Sequence, residues 1–198
     1  MHKRYAAIAL IIITLLIVGC GEQKPQAAPK PAQPEFAADV KTIDSMYVAS
    51  MAKMGPYADV GKTLTEMMAW MTKNKVDMTV GMPFGIYYDD PTKVKPESTR
   101  YEVCFPVLAK TKGDKMVTVK KLAPALVAFT VYKGPYANIG TVYPKLMGWI
   151  NGNNYEITGP VREIYMNEPG KVPAESLMTE VAFPIKPKAP AQSTGSTK

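Results

Sequence analysis

Hydrophobic and polar positions along this chain follow two periods, and each period occurs twice. In residues 60–73, Leu64, Met67, Met68 and Met71 recur at spacings of three and four, which predicts a helix with one apolar stripe. In residues 139–151, Val142, Leu146, Met147 and Ile150 do the same, and Pro144 sits early enough to bend or delay the first turn. Residues 100–107 and 179–185 alternate instead, as strands do. Val103 and Phe105 fall on one face, as do Val181 and Phe183, and these faces are expected under the helices. Glu102 and Cys104 share the other face, matched by Glu180 and Ala182. Further strands are predicted at 45–54 and 123–133, each closed by a Gly-Pro-Tyr turn, and at 85–88 and 163–166.

These two sets are copies of one unit. Gly55-Pro56-Tyr57-Ala58 returns as Gly134-Pro135-Tyr136-Ala137, and Trp70 returns as Trp149, at an offset of 79. Ile86-Tyr87 returns as Ile164-Tyr165, and Glu102-Val103-Cys104-Phe105-Pro106 as Glu180-Val181-Ala182-Phe183-Pro184, at 78. One deletion between the tryptophans and the tyrosines accounts for the change. A period this long marks one duplicated unit rather than a solenoid. The expectation is an α+β fold: a duplicated β-α-β-β unit, with repeats at about 38–110 and 117–186, pseudo-twofold symmetry, a mostly antiparallel sheet, two helices and a central groove.

A carboxylate beside a small residue on one strand face is how a pocket wall presents an acid. Glu102 and Glu180 are therefore candidate ligand-binding residues. Tyr87, Tyr165, Tyr136 and Trp149 are candidate aromatic lining. Each also has an ordinary reading, as a solvated strand carboxylate or a core aromatic. Cys104 stands where the other copy has Ala182, which reads as a small strand residue rather than a catalytic thiol.

The termini read differently. His2-Lys3-Arg4 precedes an apolar run, 6–18, too short to span a bilayer as a helix. The run ends in Ile17-Val18-Gly19-Cys20, which resembles the bacterial lipobox. That resemblance implies a signal peptide over 1–19, lipidation of Cys20, and attachment to a membrane of the cell envelope. Gly21, rather than Asp, follows Cys20, which leans towards the outer membrane by the enteric rule. Residues 20–37 read as a Pro/Ala-rich tether. Residues 187–198 read as a disordered tail.

The net charge of +7 sits mostly in and beside those end segments, at Lys3, Arg4, Lys24, Lys30, Lys186, Lys188 and Lys198. The remainder is close to neutral and carries no electrostatic footprint for nucleic acid. The single histidine, His2, lies in the signal segment. The folded region thus has no His-ligated metal site and no Ser-His or Cys-His dyad. With Cys20 assigned to lipid, Cys104 has no disulfide partner. No phosphate loop or dinucleotide fingerprint is present, and no cofactor is expected.

The motifs Tyr-Lys-Gly-Pro-Tyr (132–136), Gly-Trp-Ile (148–150), Gly-Ile-Tyr-Tyr-Asp-Asp-Pro (85–91), Arg-Tyr-Glu-Val-Cys-Phe-Pro-Val (100–107) and Thr-Glu-Val-Ala-Phe-Pro-Ile (179–185) cover the folded region in order. Together they resemble the GyrI-like small-molecule-binding family, which includes effector-binding domains of AraC-type and multidrug-responsive activators. The resemblance implies a groove between the halves, a glutamate reaching into it from the last strand (here Glu180), and aromatics that stack on flat, often cationic ligands (here Tyr87, Tyr165 and Trp149). The regulators carry a helix-turn-helix ahead of this domain, where this chain has a signal segment and a tether. Three functions stay open. One is a membrane-anchored binder of small organic molecules. Another is a hydrolase using Glu180 as base with Tyr165 or Trp149. The third is an envelope protein-interaction module.

Overall fold

The computed structural model describes residues 36–189. The signal segment, Cys20, most of the tether and most of the C-terminal tail lie outside the described residues.

The strands are β1 (Asp39–Ile43), β2 (Met46–Met54), β3 (Phe84–Tyr87), β4 (Arg100–Val107), β5 (Thr118–Leu122), β6 (Ala125–Lys133), β7 (Tyr155–Ile157), β8 (Val161–Tyr165) and β9 (Met178–Pro187). The helices are α1 (Val60–Lys73) and α2 (Tyr143–Gly152). The sheet order is β1-β6-β9-β8-β3-β4-β2-β5, with β7 paired to the end of β9, and all named strand pairs are antiparallel. Read from either end, the order is the same under exchange of the repeats, with β3 and β8 at the centre. The duplicated α+β fold is therefore present, with additions: β7, which has no counterpart in the first repeat, and a strand at the start of each repeat. Each repeat begins with a strand not expected from the sequence, β1 or β5, and donates it to the other repeat. β1 pairs with β6, and β5 pairs with β2.

One face of the sheet is covered by the helices. Val103, Phe105, Val181 and Phe183 share a core there with Met67, Trp70, Met71, Leu146 and Ile150. Burying a side chain such as Met67 or Met71, both 0% exposed, is worth roughly 1.5–3 kcal/mol before the entropy of ordering it. The α1 stripe is rotated from the expected one, whereas α2 buries the expected Leu146 and Ile150, with Val142 just before it. α1 buries Val60, Thr63, Met67, Trp70 and Met71, whereas Met68 and its counterpart Met147 are exposed. Thr63 enters the apolar face because its hydroxyl is satisfied, at 2.9 Å from the Tyr101 hydroxyl and 3.3 Å from the Asp59 carbonyl. α2 starts only at Tyr143, after a 3₁₀ turn over Tyr136–Thr141, with Pro144 in its first turn. There its missing N–H leaves no helical bond unmade.

The repeated Gly-Pro-Tyr turn requires its glycines. Gly55 and Gly134 have φ of 144° and 145°, a region closed to residues with a Cβ. Each donates its N–H across to the start of a last strand, to the Thr99 carbonyl at 2.8 Å and the Leu177 carbonyl at 2.9 Å. These bonds set Tyr57 and Tyr136 at the mouth of the helix-side face.

Candidate functional site

The central strands β3 and β8 place one residue of each repeat opposite the other. On the helix side these are Gly85 and Glu163. They occupy the same position of the duplicated unit, so the symmetry is broken where the halves meet. Glu163 is 6% exposed and accepts a hydrogen bond from the Tyr143 hydroxyl. Among the described residues it has no ion-pair partner. Burial raises its pKa above the ordinary carboxylate value, and hydroxyl hydrogen bonds from Tyr143 and Tyr87 pull it back down.

Tyrosines enclose this carboxylate. The Tyr87 and Tyr165 hydroxyls meet at 2.6 Å across the central strand pair. Tyr57 packs edge-on to Tyr87 at 4.9 Å between ring centroids, and Tyr136 packs edge-on to Tyr165 at 5.8 Å. These two contacts are the same pair in the two repeats, an arrangement in which ring edges meet ring faces favourably. Burial first, and then neighbouring charge including Glu163, pushes the Tyr87, Tyr143 and Tyr165 hydroxyls far above their ordinary value. They stay protonated, and Tyr143 serves Glu163 as a donor. Gly85 is what makes room. A Cβ there would lie 2.7 Å from the Tyr165 hydroxyl and 2.7 Å from a ring carbon of Tyr87.

The structure thus gathers three of the expected residues, Tyr87, Tyr165 and Tyr136, in one place. Trp149 is half-buried on α2 against the same core. Glu102 and Glu180 lie on the opposite face. Glu180 pairs across β9–β8 with Ile164, whereas Thr179 pairs with Tyr165, so the sheet stands between Glu180 and the tyrosines. Both glutamates are held by lysines from the donated strands. Lys41 on β1 bonds Glu180 at 2.6 Å, and Lys120 on β5 bonds Glu102. The two ion pairs are equivalent under the repeat, and each ties one half to the other. Glu102 also accepts from the hydroxyls of Ser50 and Tyr88. Burial alone would raise its pKa, yet Lys120, Ser50 and Tyr88 together hold it below the ordinary value. Cys104 is fully buried beside this group, and burial pushes its thiol up to about 12.

Sequence reasoning passed over Glu163, Tyr57 and Tyr143. The signal for Glu163 was present, because it alternates with Val161 and Tyr165 and so shares a face with core residues. A carboxylate on the buried side of a strand is the unusual observation; Glu102 and Glu180 lie on the side read as open. Two cavities among the described residues, about 620 and 390 Å³, are not lined by Glu163. The groove is filled by its own tyrosines.

The fold is similar to that of the EcmrR C-terminal domain, with a TM-score of 0.70 and 24% identity over 78% of this chain and 99% of that one. In an EcmrR–DNA complex the match spans 77% of this chain and 58% of the regulator, with a TM-score of 0.67 and 23% identity. A hydrolase from Listeria innocua is similar at a TM-score of 0.56 and 10% identity, over 78% of this chain and 94% of that one. SAV2435 bound to tetraphenylphosphonium is similar at 0.50 and 10%, over 76% and 94%. No curated protein matches the sequence. The family model of the GyrI-like small molecule binding domain matches residues 37–186, so this chain belongs to the GyrI-like small-molecule-binding family.

Proposed function

We propose that the helix-side groove binds an apolar organic cation, held by Glu163 and packed against the surrounding tyrosines. One observation carries this reading: a buried carboxylate with no cation beside it among the described residues. Such a group is costly in isolation and is relieved by a counter-charge. A ligand cation supplies the charge, and tyrosine faces add roughly 0.5–2 kcal/mol each when the contact is desolvated. Entry requires Tyr143 to release Glu163. Tyr143 is the first residue of α2 and has no side-chain cap before it, so the helix end can move, and the tyrosines that fill the groove have to shift with it. The tetraphenylphosphonium carried by SAV2435 is a ligand of the chemistry proposed here.

The test is calorimetric titration of the full chain with tetraphenylphosphonium. Saturable binding is expected, weakened about tenfold or more in Glu163→Gln and unchanged in Glu180→Gln. Equal affinity of wild type and Glu163→Gln would sink the reading.

Membrane attachment belongs to the same proposal. Cys20, following an apolar run and a lipobox-like sequence, would carry the lipid and hold the domain in the cell envelope through its tether. A Cys20→Ala chain is expected in the soluble fraction. Its retention in membranes would remove the anchor.

A second reading, hydrolysis, rests on the same carboxylate. Burial raises the pKa of Glu163, the direction a general base near neutral pH needs, and two structural neighbours are named hydrolases. Turnover of strained-ring electrophiles, abolished in Glu163→Gln, would distinguish catalysis from binding.

A further inference from the structure

The opposite face of the central strands breaks symmetry as well. There the equivalent positions are Phe84 in the first repeat and Arg162 in the second. Arg162 is half-buried, and among the described residues it makes no ion pair and no hydrogen bond through its side chain. Burial lowers its pKa from the ordinary guanidinium value, and no carboxylate offsets that effect. The glutamates of this face are already engaged, Glu180 by Lys41 and Glu102 by Lys120.

Arg162 lines a cleft of about 390 Å³ whose other walls are apolar, among them Phe84, Ile164, Ile43 and Met46. The segment after α1 forms part of its wall, through Val80, Gly81 and Met82. Gly81 lies so close to Pro106 that a Cβ would stand 2.9 Å from its ring. Val80 and Met82 remain exposed, Met82 at 51%, as does Tyr47 at the rim. The size falls within the range of small-molecule sites, which are mostly apolar with a few placed polar groups.

We propose that this cleft is a second ligand site, taking a single-tailed anionic amphiphile whose carboxylate or phosphate head pairs with Arg162 and whose alkyl tail lies against Phe84, Ile164 and Met82. A planar guanidinium binds either head group through two parallel N–H···O bonds. The tail covers apolar surface that is otherwise open to water. β8 then carries receptors of opposite sign on its two faces, with Glu163 for cations and Arg162 for anions. The assignment stands on Arg162 and its cleft, independently of the groove around Glu163.

The test is calorimetry of the full chain with decanoate, decyl phosphate and decanol below their aggregation concentrations. Saturable binding of decanoate or decyl phosphate, at least about tenfold tighter than decanol, is expected, and the stronger of the two identifies the head group. Arg162→Gln should lose about tenfold or more of that affinity while its thermal unfolding stays cooperative. Met82→Asp, at an exposed position on the rim, should weaken the anion through repulsion without touching the fold. Glu163→Gln should leave it unchanged. Decanol binding as well as the anions, or decanoate binding equally to Arg162→Gln and Met82→Asp, would overturn the assignment. So would binding of anionic vesicles alone, with no response to any monomeric amphiphile.

Discussion

Gly85 and Glu163 are cross-strand partners on β3 and β8, and they are the same residue position of the duplicated unit. The glycine leaves the space that the Tyr87 and Tyr165 rings occupy, and the glutamate supplies a carboxylate at that point. A Cβ on residue 85 would come within 2.7 Å of both tyrosines. Gly85→Ala is therefore expected to destabilise the domain by about 1–3 kcal/mol through overpacking, and Gly85→Val by more. Thermal unfolding measures the loss. An Ala variant as stable as wild type would mean that the tyrosines move aside freely.

The raised pKa of Glu163 gives stability a definite pH dependence. The folded state holds its proton more tightly than the unfolded chain, whose carboxylate titrates near 4.5. Stability is therefore favoured below that value and falls as pH rises towards the folded pKa. Glu163→Gln removes this loss. The variant is expected to melt above wild type at pH 7–8, with the difference shrinking towards zero as pH falls below about 4.5. A Gln variant less stable than wild type at every pH would show that the carboxylate is internally compensated.

The two inter-repeat ion pairs make a further test. Lys41 holds Glu180, whose side chain is 11% exposed. Lys41→Met leaves that carboxylate without its cation and is expected to cost about 1–3 kcal/mol, more than a surface pair is worth. The double variant Lys41→Met/Glu180→Gln should recover part of the loss, since it removes the stranded charge as well. Urea denaturation of both variants is the measurement. Additive effects would mean that the pair contributes nothing as a pair.

Cys104 is 0% exposed, and burial holds its thiol up at about 12. In a Cys20→Ala chain, a thiol-specific disulfide reagent at pH 8 is expected to react only at the rate of unfolding, and promptly in denaturant. Fast labelling of the native protein would show that this face of the sheet opens.

Much of this fold could be read from the chain because its periods were long and repeated. α1 and β4 fall at the expected 60–73 and 100–107. β1, β5 and β7 were not legible. They have five, five and three residues, carry lysine or glutamate among few apolar positions, and sit at sheet margins where charge discourages further pairing. The α1 face was read a fraction of a turn off because Met68 looks like a core residue while Thr63 does not; on α2 only Met147 of the expected stripe is exposed. Of the groove proposed above, the aromatics stand out in the chain and the carboxylate does not. Glu102 and Glu180 stood out because they repeat, whereas Glu163 does not repeat, and that lack of repetition is what leaves the groove with a single carboxylate.

The exchange of β1 and β5 between the repeats bears on how such a molecule can be assembled. Neither half completes its own sheet, since each lacks the outermost strand until the other supplies it. Two separate copies of one half could trade those strands and close the same sheet as a twofold dimer. Every position on the axis would then hold two identical residues: a pair of glycines with no charge, or a pair of carboxylates repelling each other at cross-strand distance. Joining the halves in one polypeptide lifts that restriction. One titratable group can then stand on each face of the centre, as Glu163 and Arg162 do here.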